Sequence, residues 1–413
     1  MRLQKLFALS LAAATSIYAA GYKIPEQSLK GTALAAAYVA NAHGADASYY
    51  NPANMAFFSK GNQLDFGLSY IQASAIDFDS SETVSTLSNA PAQSKAEKET
   101  VFIPTLHYII PSSFENTTFG ISMVAPAGLS KRWNNTFAKK SAEEFTLKIV
   151  ELNPTIAYKI NEKLAIGGGL RLLYSEGIVK SSVGTGISRD LEADAVDFGY
   201  NLALTYRPTK EATLAATYRS YVDITVKGDG KLNYTPTASS YSGGASVTFP
   251  LPAALNLAAS YDFGDLTAEL VYERTYWSTY DTLDFNYDKT LNTTGGASSF
   301  YAAFDAPREK NWKDTNTYRL GLTYQANKDL TIMGGFAIDE TPVPDDTIGF
   351  ELPDSDAKIY SMGFEYKLNE NSSIGAAYLV SIKDDRNAEI DGQNGTITNS
   401  KVSLLTIGYS YSF

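Results

Sequence analysis

The chain has 413 residues and a formal net charge of −11, with 34 Lys and Arg against 45 Asp and Glu. It contains no cysteine, which rules out a disulfide framework, thiol catalysis and thiolate metal sites. The acidic balance argues against a nucleic-acid partner, which would want a basic face. Tyr (28) and Phe (20) far outnumber Trp (3) and Met (5), a strand-favouring mixture. No stretch after residue 20 has the apolar run of a membrane-spanning helix, so periodicity has to decide the fold.

Met1–Ala19 reads as a secretory signal: basic Arg2 and Lys5, apolar Leu6–Ala14, then small residues before a cut after Ala19 or Ala20. Residues 20–58 do not alternate as strands do. Small residues dominate, among them Gly31, Ala33, Ala35, Ala36, Ala37 and Ala40, and they allow close backbone packing. Ser28–Val39 is expected to form a short Ala-rich helix. Asn51-Pro52-Ala53 is a rigid turn, because Pro fixes φ and biases its predecessor away from the helical region. The stretch reads as a small plug.

From 59 to 413 apolar side chains alternate with small or polar ones. Leu64, Phe66, Leu68 and Tyr70 share one face; Phe119, Ile121 and Met123 share another. Further on, Leu164, Ile166, Leu170 and Leu172 oppose Gly167, Gly169 and Arg171, and Tyr318, Leu320 and Leu322 oppose Arg319 and Gly321. The last strand sets Leu405, Ile407, Tyr409, Tyr411 and Phe413 against Thr406, Gly408, Ser410 and Ser412. Period two with a polar second face marks half-buried strands. Short links near 111–115, 161–163, 208–211, 263–265, 326–329 and 369–371 alternate with wide ones. The wide links are expected at 79–98, 133–142, 182–188, 228–243, 288–309, 341–355 and 384–399. Short turns at one end and long loops at the other are the mark of a bacterial outer-membrane barrel. The expected fold is all-β: a transmembrane antiparallel β-barrel of about fourteen strands, closed by the N-terminal plug. Such a barrel is wider than its inward side chains fill.

The ordered series Gly21-Tyr22, Glu26-Gln27-Ser28, Gly31, Ala37-Tyr38, Ala45-Asp46 and Asn51-Pro52-Ala53 resembles the hatch of the FadL-type outer-membrane transporters of fatty acids and other hydrophobic compounds. The likeness continues through Pro250-Leu251-Pro252, Tyr276-Trp277-Ser278, Asn311-Trp312-Lys313-Asp314, Asp339–Pro344 and Leu352–Asp356. It implies passive transport of a hydrophobic molecule, a fatty acid or a hydrocarbon, across the bacterial outer membrane. The implied partners are that ligand, membrane lipid and lipopolysaccharide. Phe413 resembles the terminal signal read by the barrel-assembly machinery. The family's third barrel strand carries an inward kink that opens a lateral window. Here Ala125-Pro126-Ala127-Gly128 interrupts the third strand: Pro126 donates no ladder bond and Gly128 allows a bend. Pro126, Ala127 and Gly128 are therefore the candidate lateral gate, and ligand binding is expected to move the plug around Asn51-Pro52-Ala53.

A cargo carboxylate would pair with an inward Arg. Arg171 and Arg319 face inward by parity, and Arg308 and Lys310 lie just before Trp312, where the family places a basic ligand contact. The alternative for each is pairing with another lumen charge. The two histidines, His43 and His107, form no metal cluster or nucleophile–base motif, and neither a metal, a cofactor nor an enzymatic activity is expected. Asp345, Asp346, Glu351, Asp354 and Asp356 are expected to form a solvated acidic rim, with Ca²⁺ or lipopolysaccharide bridging as the alternative. A monomer is expected. The rival readings are a surface barrel acting as adhesin or phage receptor, a general porin, and a barrel lipase using a Ser with His107.

Overall fold

A computed structural model describes residues 21–58, 61–81, 83–84, 90–184, 186–289, 291 and 303–413; the signal segment Met1–Ala19 lies outside them. Alternation along the strands closes the sheet on itself. The wall is β1 (Gln63–Ala73), β2 (Glu99–Pro111), β3 (Thr117–Arg132), β4 (Glu144–Asn161), β5 (Leu164–Val183) and β6 (Ile187–Tyr206). β7 comes in two pieces, Ala212–Arg219 and Val222–Tyr234, and β8 in two, Ser239–Leu251 and Ala253–Asp262. Then follow β9 (Leu266–Tyr276), β10 (Thr315–Gln325), β11 (Leu330–Asp339), β12 (Ala357–Lys367), β13 (Ser372–Lys383) and β14 (Lys401–Ser412). Neighbours pair antiparallel, and β14 returns to β1 from Gln63↔Ser412 to Ala73↔Val402. Closure leaves a fourteen-stranded barrel, the count expected from the sequence.

Parity decides what each face meets. Phe66, Leu320, Leu322, Ile407 and Tyr409 are exposed on the outside, while Ser122, Glu151, Arg171, Thr205, Arg319 and Thr406 are buried inside. An apolar exterior around a polar interior suits lipid outside and a filled lumen within. At the wide-loop end, Phe78, Trp133, Phe137 and Phe350 pack as one aromatic group, with the Trp133 indole donating to Phe350 O at 2.8 Å.

Residues 21–58 run through the interior. Their contacts reach the wall on every side: Thr32 to Thr406 of β14, Ser48 to Ser122 of β3, Asn51 to Thr205 of β6. Ser361 of β12 donates to Ala33 O at 2.8 Å, and Arg319 of β10 to Ala35 O at 3.0 Å. Inward glycines make the room. A Cβ on Gly335 would lie 2.2 Å from Leu34 C, and one on Gly167 would lie 2.5 Å from Ala53 N.

Three expectations need correction. The helix expected over Ser28–Val39 is only Leu29–Ala33, α1, capped by the Ser28 hydroxyl. It stops because Ala35 turns left-handed (φ 49°), with Ala36 N–H donating to Gly31 O at 2.8 Å and Ala35 N–H to Thr32 O at 3.3 Å. That pairing is a Schellman stop, set where Gly335 presses on Leu34. A second short helix, α2, spans Ala47–Tyr50. The wide link expected at 228–243 is mostly strand: β7 and β8 pair as far as Tyr234↔Ser239. Likewise β5 and β6 pair to Val183↔Ile187, so the 182–188 link is short.

Candidate functional site

β3 changes partner halfway along. Its first part pairs with β2 from Pro111↔Thr118 to Leu106↔Met123, and there the ladder ends, although β2 continues to Glu99. A bulge follows between Val124 and Ala127 in the register with β4. From there the edge that faced β2 turns inward and is taken up by the start of the internal segment. Ile24 N–H donates to Pro126 O at 2.8 Å, and Gly128 N–H donates to Tyr22 O at 2.9 Å. Lys23 and Ala127 form an antiparallel bridge between these bonds. The Gln27 amide completes the exchange, donating to Ala125 O and accepting from Ala125 N–H, each at 2.8 Å. Every backbone group must find a partner at membrane depth. Pro126 removes one donor at the bend, and Tyr22–Gln27 partners the diverted edge from Ala125 to Gly128.

The result is a break in the wall between β2 and β3. Phe102, Ile103, Pro104, Val124, Ala125 and Val150 line it, an apolar rim at which Pro104 also lacks an N–H. The break closes above, where Glu97 N–H donates to Arg132 O at 2.8 Å and Arg132 forks onto Glu99 at 2.9 and 2.6 Å.

Behind Pro126 lies a cavity of about 70 Å³. Lys23, Tyr49 and Pro52 line it from the internal segment, and Arg171, Arg219, Leu251, Glu273 and Arg319 from the wall. That is room for a few waters. Two carboxylates organise its charges. Glu151 binds Arg171 Nε at 2.9 Å through one oxygen and Arg219 through the other. Glu273 binds Lys23 Nζ at 2.8 Å, with Arg319 at 3.6 Å.

The residues singled out by sequence fall into two groups. Pro126, Pro52, Arg171 and Arg319 meet at the one cavity. Arg308 does not: it is exposed on an outer hairpin formed by Thr282–Leu283 and Arg308–Glu309. Lys310 is buried but engaged with Glu351 in the 340–356 loop. There burial works against the charge of Glu351, and the Lys310 ammonium beside it holds the carboxyl below the ordinary glutamate value. Asn51 caps the 3₁₀ turn Pro52–Phe57, accepting from Ala53 N–H at 3.1 Å and donating to Val39 O and Thr205 Oγ1 at 2.9 Å.

The acidic rim is solvated as expected at Asp345, Asp346 and Asp356, which are exposed, Asp345 pairing with Arg386 at 2.6 Å; Asp354 departs from it, buried against Lys383 and Thr341. His107 does meet a serine, Ser122, at 3.0 Å, but its other nitrogen lies 2.9 Å from Gln27 O, and Ser122 bonds Ser48. These groups tie the internal segment to the wall. Lys23 and Arg219 were not anticipated. Arg219 follows Ala215 and Thr217 on the inward face of β7, a parity signal available in the sequence; Lys23 carried no such signal.

Comparison with known proteins fits this architecture. The profile of the outer membrane protein transport protein family (OMPP1/FadL/TodX) matches residues 10–413. A long-chain fatty acid transport protein of Escherichia coli strain K12 is 25% identical, over 97% of this chain and 96% of that protein. The crystal structure of a Pseudomonas aeruginosa FadL homologue superposes with a TM-score of 0.83 at 19% identity, covering 95% of this chain and all of that one. The Ralstonia pickettii toluene transporter TbuX does so with a TM-score of 0.70 at 18% identity, covering 94% and 98%; at these identities the likeness is one of fold. With a profile match spanning nearly its whole length, the chain belongs to the OMPP1/FadL/TodX family of outer-membrane transport proteins.

Proposed function

We propose that this chain is a passive channel for hydrophobic molecules and no enzyme: cargo enters from the loop end, lodges against the internal segment, and leaves sideways into the membrane between β2 and β3. The observation that carries the proposal is the exchange of partners at Pro126, where β3 gives up β2 and takes Tyr22–Gln27 in its place. Residues 20–58 act as the plug. Asn51-Pro52-Ala53 is its fixed pivot, held by Thr205 and pressed on Gly167, and Gly21–Gln27 is the part that moves. The protein acts as a monomer in contact with membrane lipid and lipopolysaccharide, assembled through Phe413.

Energetics favour a sideways exit. Burial stabilises an alkyl chain by about 0.8 kcal/mol per CH₂, so release of a long chain into periplasmic water would be slow. Passage from an apolar rim into lipid exchanges one apolar surrounding for another. The absence of native cysteine makes a direct test available. Cysteines in place of Ile103 and Val124, joined by a short reducible dithiol linker, should leave a folded barrel that binds cargo but does not deliver it until the linker is reduced. Delivery at the unlinked rate would end the lateral-exit reading.

A further inference from the structure

The wall carries no inward side chain where β13 and β14 meet. Gly375 and Gly408 stand opposite each other in that ladder, and Gly67 of β1 is next in the row. Leu29 of α1 fills their inner side: a Cβ on Gly375 would lie 2.5 Å from Leu29 Cδ2, and one on Gly408 would lie 2.8 Å from Leu29 Cβ. α1 is also stitched to the same strands, Thr32 to Thr406 of β14 at 2.9 Å and Ala33 O to Ser361 of β12 at 2.8 Å. Along this row only backbone separates the internal segment from the membrane.

The outer side of the row is hollow. Ala376 stands between Phe364 and Ile407 in register, and the row beside it is Ile374, Tyr409 and Phe66. These five large side chains are exposed around the small one. They leave a groove of about 510 Å³ that reaches the backbone of Gly375 and Gly408, against about 70 Å³ behind Pro126. The lining is apolar apart from the Tyr409 hydroxyl. Outward positions of an outer-membrane barrel face lipid, so whatever fills the groove is dissolved in the bilayer. An unfilled hollow forfeits dispersion contacts, and a flexible alkyl chain restores them. Towards the short 369–371 turn the same face continues to Tyr366 and Tyr411, and Lys367 is exposed at the end of β12. Phenols and a cation at the short-turn end mark the headgroup level of the inner leaflet.

We propose that this groove is a binding site for an inner-leaflet phospholipid, one acyl chain lying over Gly375 and Gly408 and the phosphate at the Tyr366–Lys367 end. The chain outside backs the stretch of wall on which Leu29 presses from inside, so bound lipid steadies α1. The site stands whatever the barrel carries.

The test uses the full folded chain reconstituted in vesicles of palmitoyl-oleoyl phosphatidylethanolamine and phosphatidylglycerol, extracted in a mild detergent and weighed by native mass spectrometry. Wild type should keep one phospholipid. Ala376→Phe, whose ring occupies the groove, should keep none, and Ala376→Leu serves if that variant does not assemble. Ala268→Phe, between the exposed Leu266 and Leu270 on β9, should keep the lipid. Stripping the lipid should speed amide exchange at residues 29–33 several-fold in wild type, reversibly on adding phosphatidylethanolamine, and should change nothing in Ala376→Phe. Retention that is absent in wild type, or that survives both Ala376 variants, would overturn the proposal. So would a fatty acid or a second copy of the chain held in the phospholipid's place, or exchange at 29–33 that ignores lipid in wild type.

Discussion

Gln27 holds Ala125 by both of its backbone groups, Nε2 donating to the carbonyl and Oε1 accepting from the N–H, each at 2.8 Å. A side chain thereby does the work of a neighbouring strand at the point where β3 has left β2. Gln27→Ala should leave both groups of Ala125 without partners. Each such bond is worth about 0.5–1.5 kcal/mol net, more when its loss strands a buried group. The variant should still assemble but hold residues 21–27 less firmly, with a rise in small-solute conductance across planar bilayers. A conductance equal to wild type would show that Gln27 does not hold the segment shut.

Glu269 makes a second fastening. Its carboxylate accepts from three consecutive backbone N–H groups, Val39 at 2.7 Å, Ala40 at 2.6 Å and Asn41 at 3.0 Å. Hydrogen bonds to an ionised acceptor are worth about 1.5–3 kcal/mol. Glu269→Gln keeps the shape and loses the charge, and its NH₂ turns one donor towards donors. Amide exchange at residues 39–41 should speed up by about tenfold or more while the exchange of strand amides stays as it was. Unchanged protection at 39–41 would deny Glu269 this role.

Gly334 and Gly335 are adjacent on β11 but face opposite ways. A Cβ on Gly335 would meet Leu34 C at 2.2 Å and Ala35 N at 2.6 Å, whereas on Gly334 the nearest atom is Ser361 O at 3.7 Å. Gly335→Val should displace the internal segment and give a leaky barrel or no assembled barrel; Gly334→Val should be near wild type in heat-modifiable gel migration and conductance. Equal behaviour of the two would mean that the close fit of Leu34 and Ala35 against β11 is not required.

Much of this was legible because lipid enforces parity. Tyr318, Leu320 and Leu322 announced one face of β10 and Arg319 the other, and the structure agrees. Legibility failed where lipid stops. In the upper part of β7, Lys227, Asp229 and Lys231 stand where outward apolar side chains would be expected, because that end is wet. The strand therefore read as a loop although its ladder with β8 is continuous to Tyr234. Pro126 and Gly128 announced a break but not the segment that fills it, since no local pattern tells residue 126 that residues 22–27 will arrive. Parity placed Arg171 and Arg319 inside, yet it gives direction and not neighbours. The sharing of Glu151 by two arginines therefore had to come from three dimensions.

The Lys310–Glu351 pair gives a pH-dependent prediction outside the wall. The folded-state carboxyl of Glu351 sits below its ordinary value because the Lys310 ammonium outweighs the burial that opposes its charge. A depressed carboxylate pKa means that the folded loop gains stability above the unfolded value, about 4.3, and loses it as pH falls through the folded value beneath that. Trp312 lies two residues from Lys310 and packs on Tyr280 at 4.8 Å and Trp277 at 5.0 Å, so it reports on this loop. On acidification from neutral pH, its fluorescence should be steady until the solution is more acidic than about pH 4.3 and then change as loop 340–356 releases. Lys310→Met removes the cation and leaves the buried carboxyl favouring its neutral form, so the change should move to higher pH. A transition at the same pH in both proteins would mean that the ammonium does not set the carboxyl's titration and that another contact holds the loop.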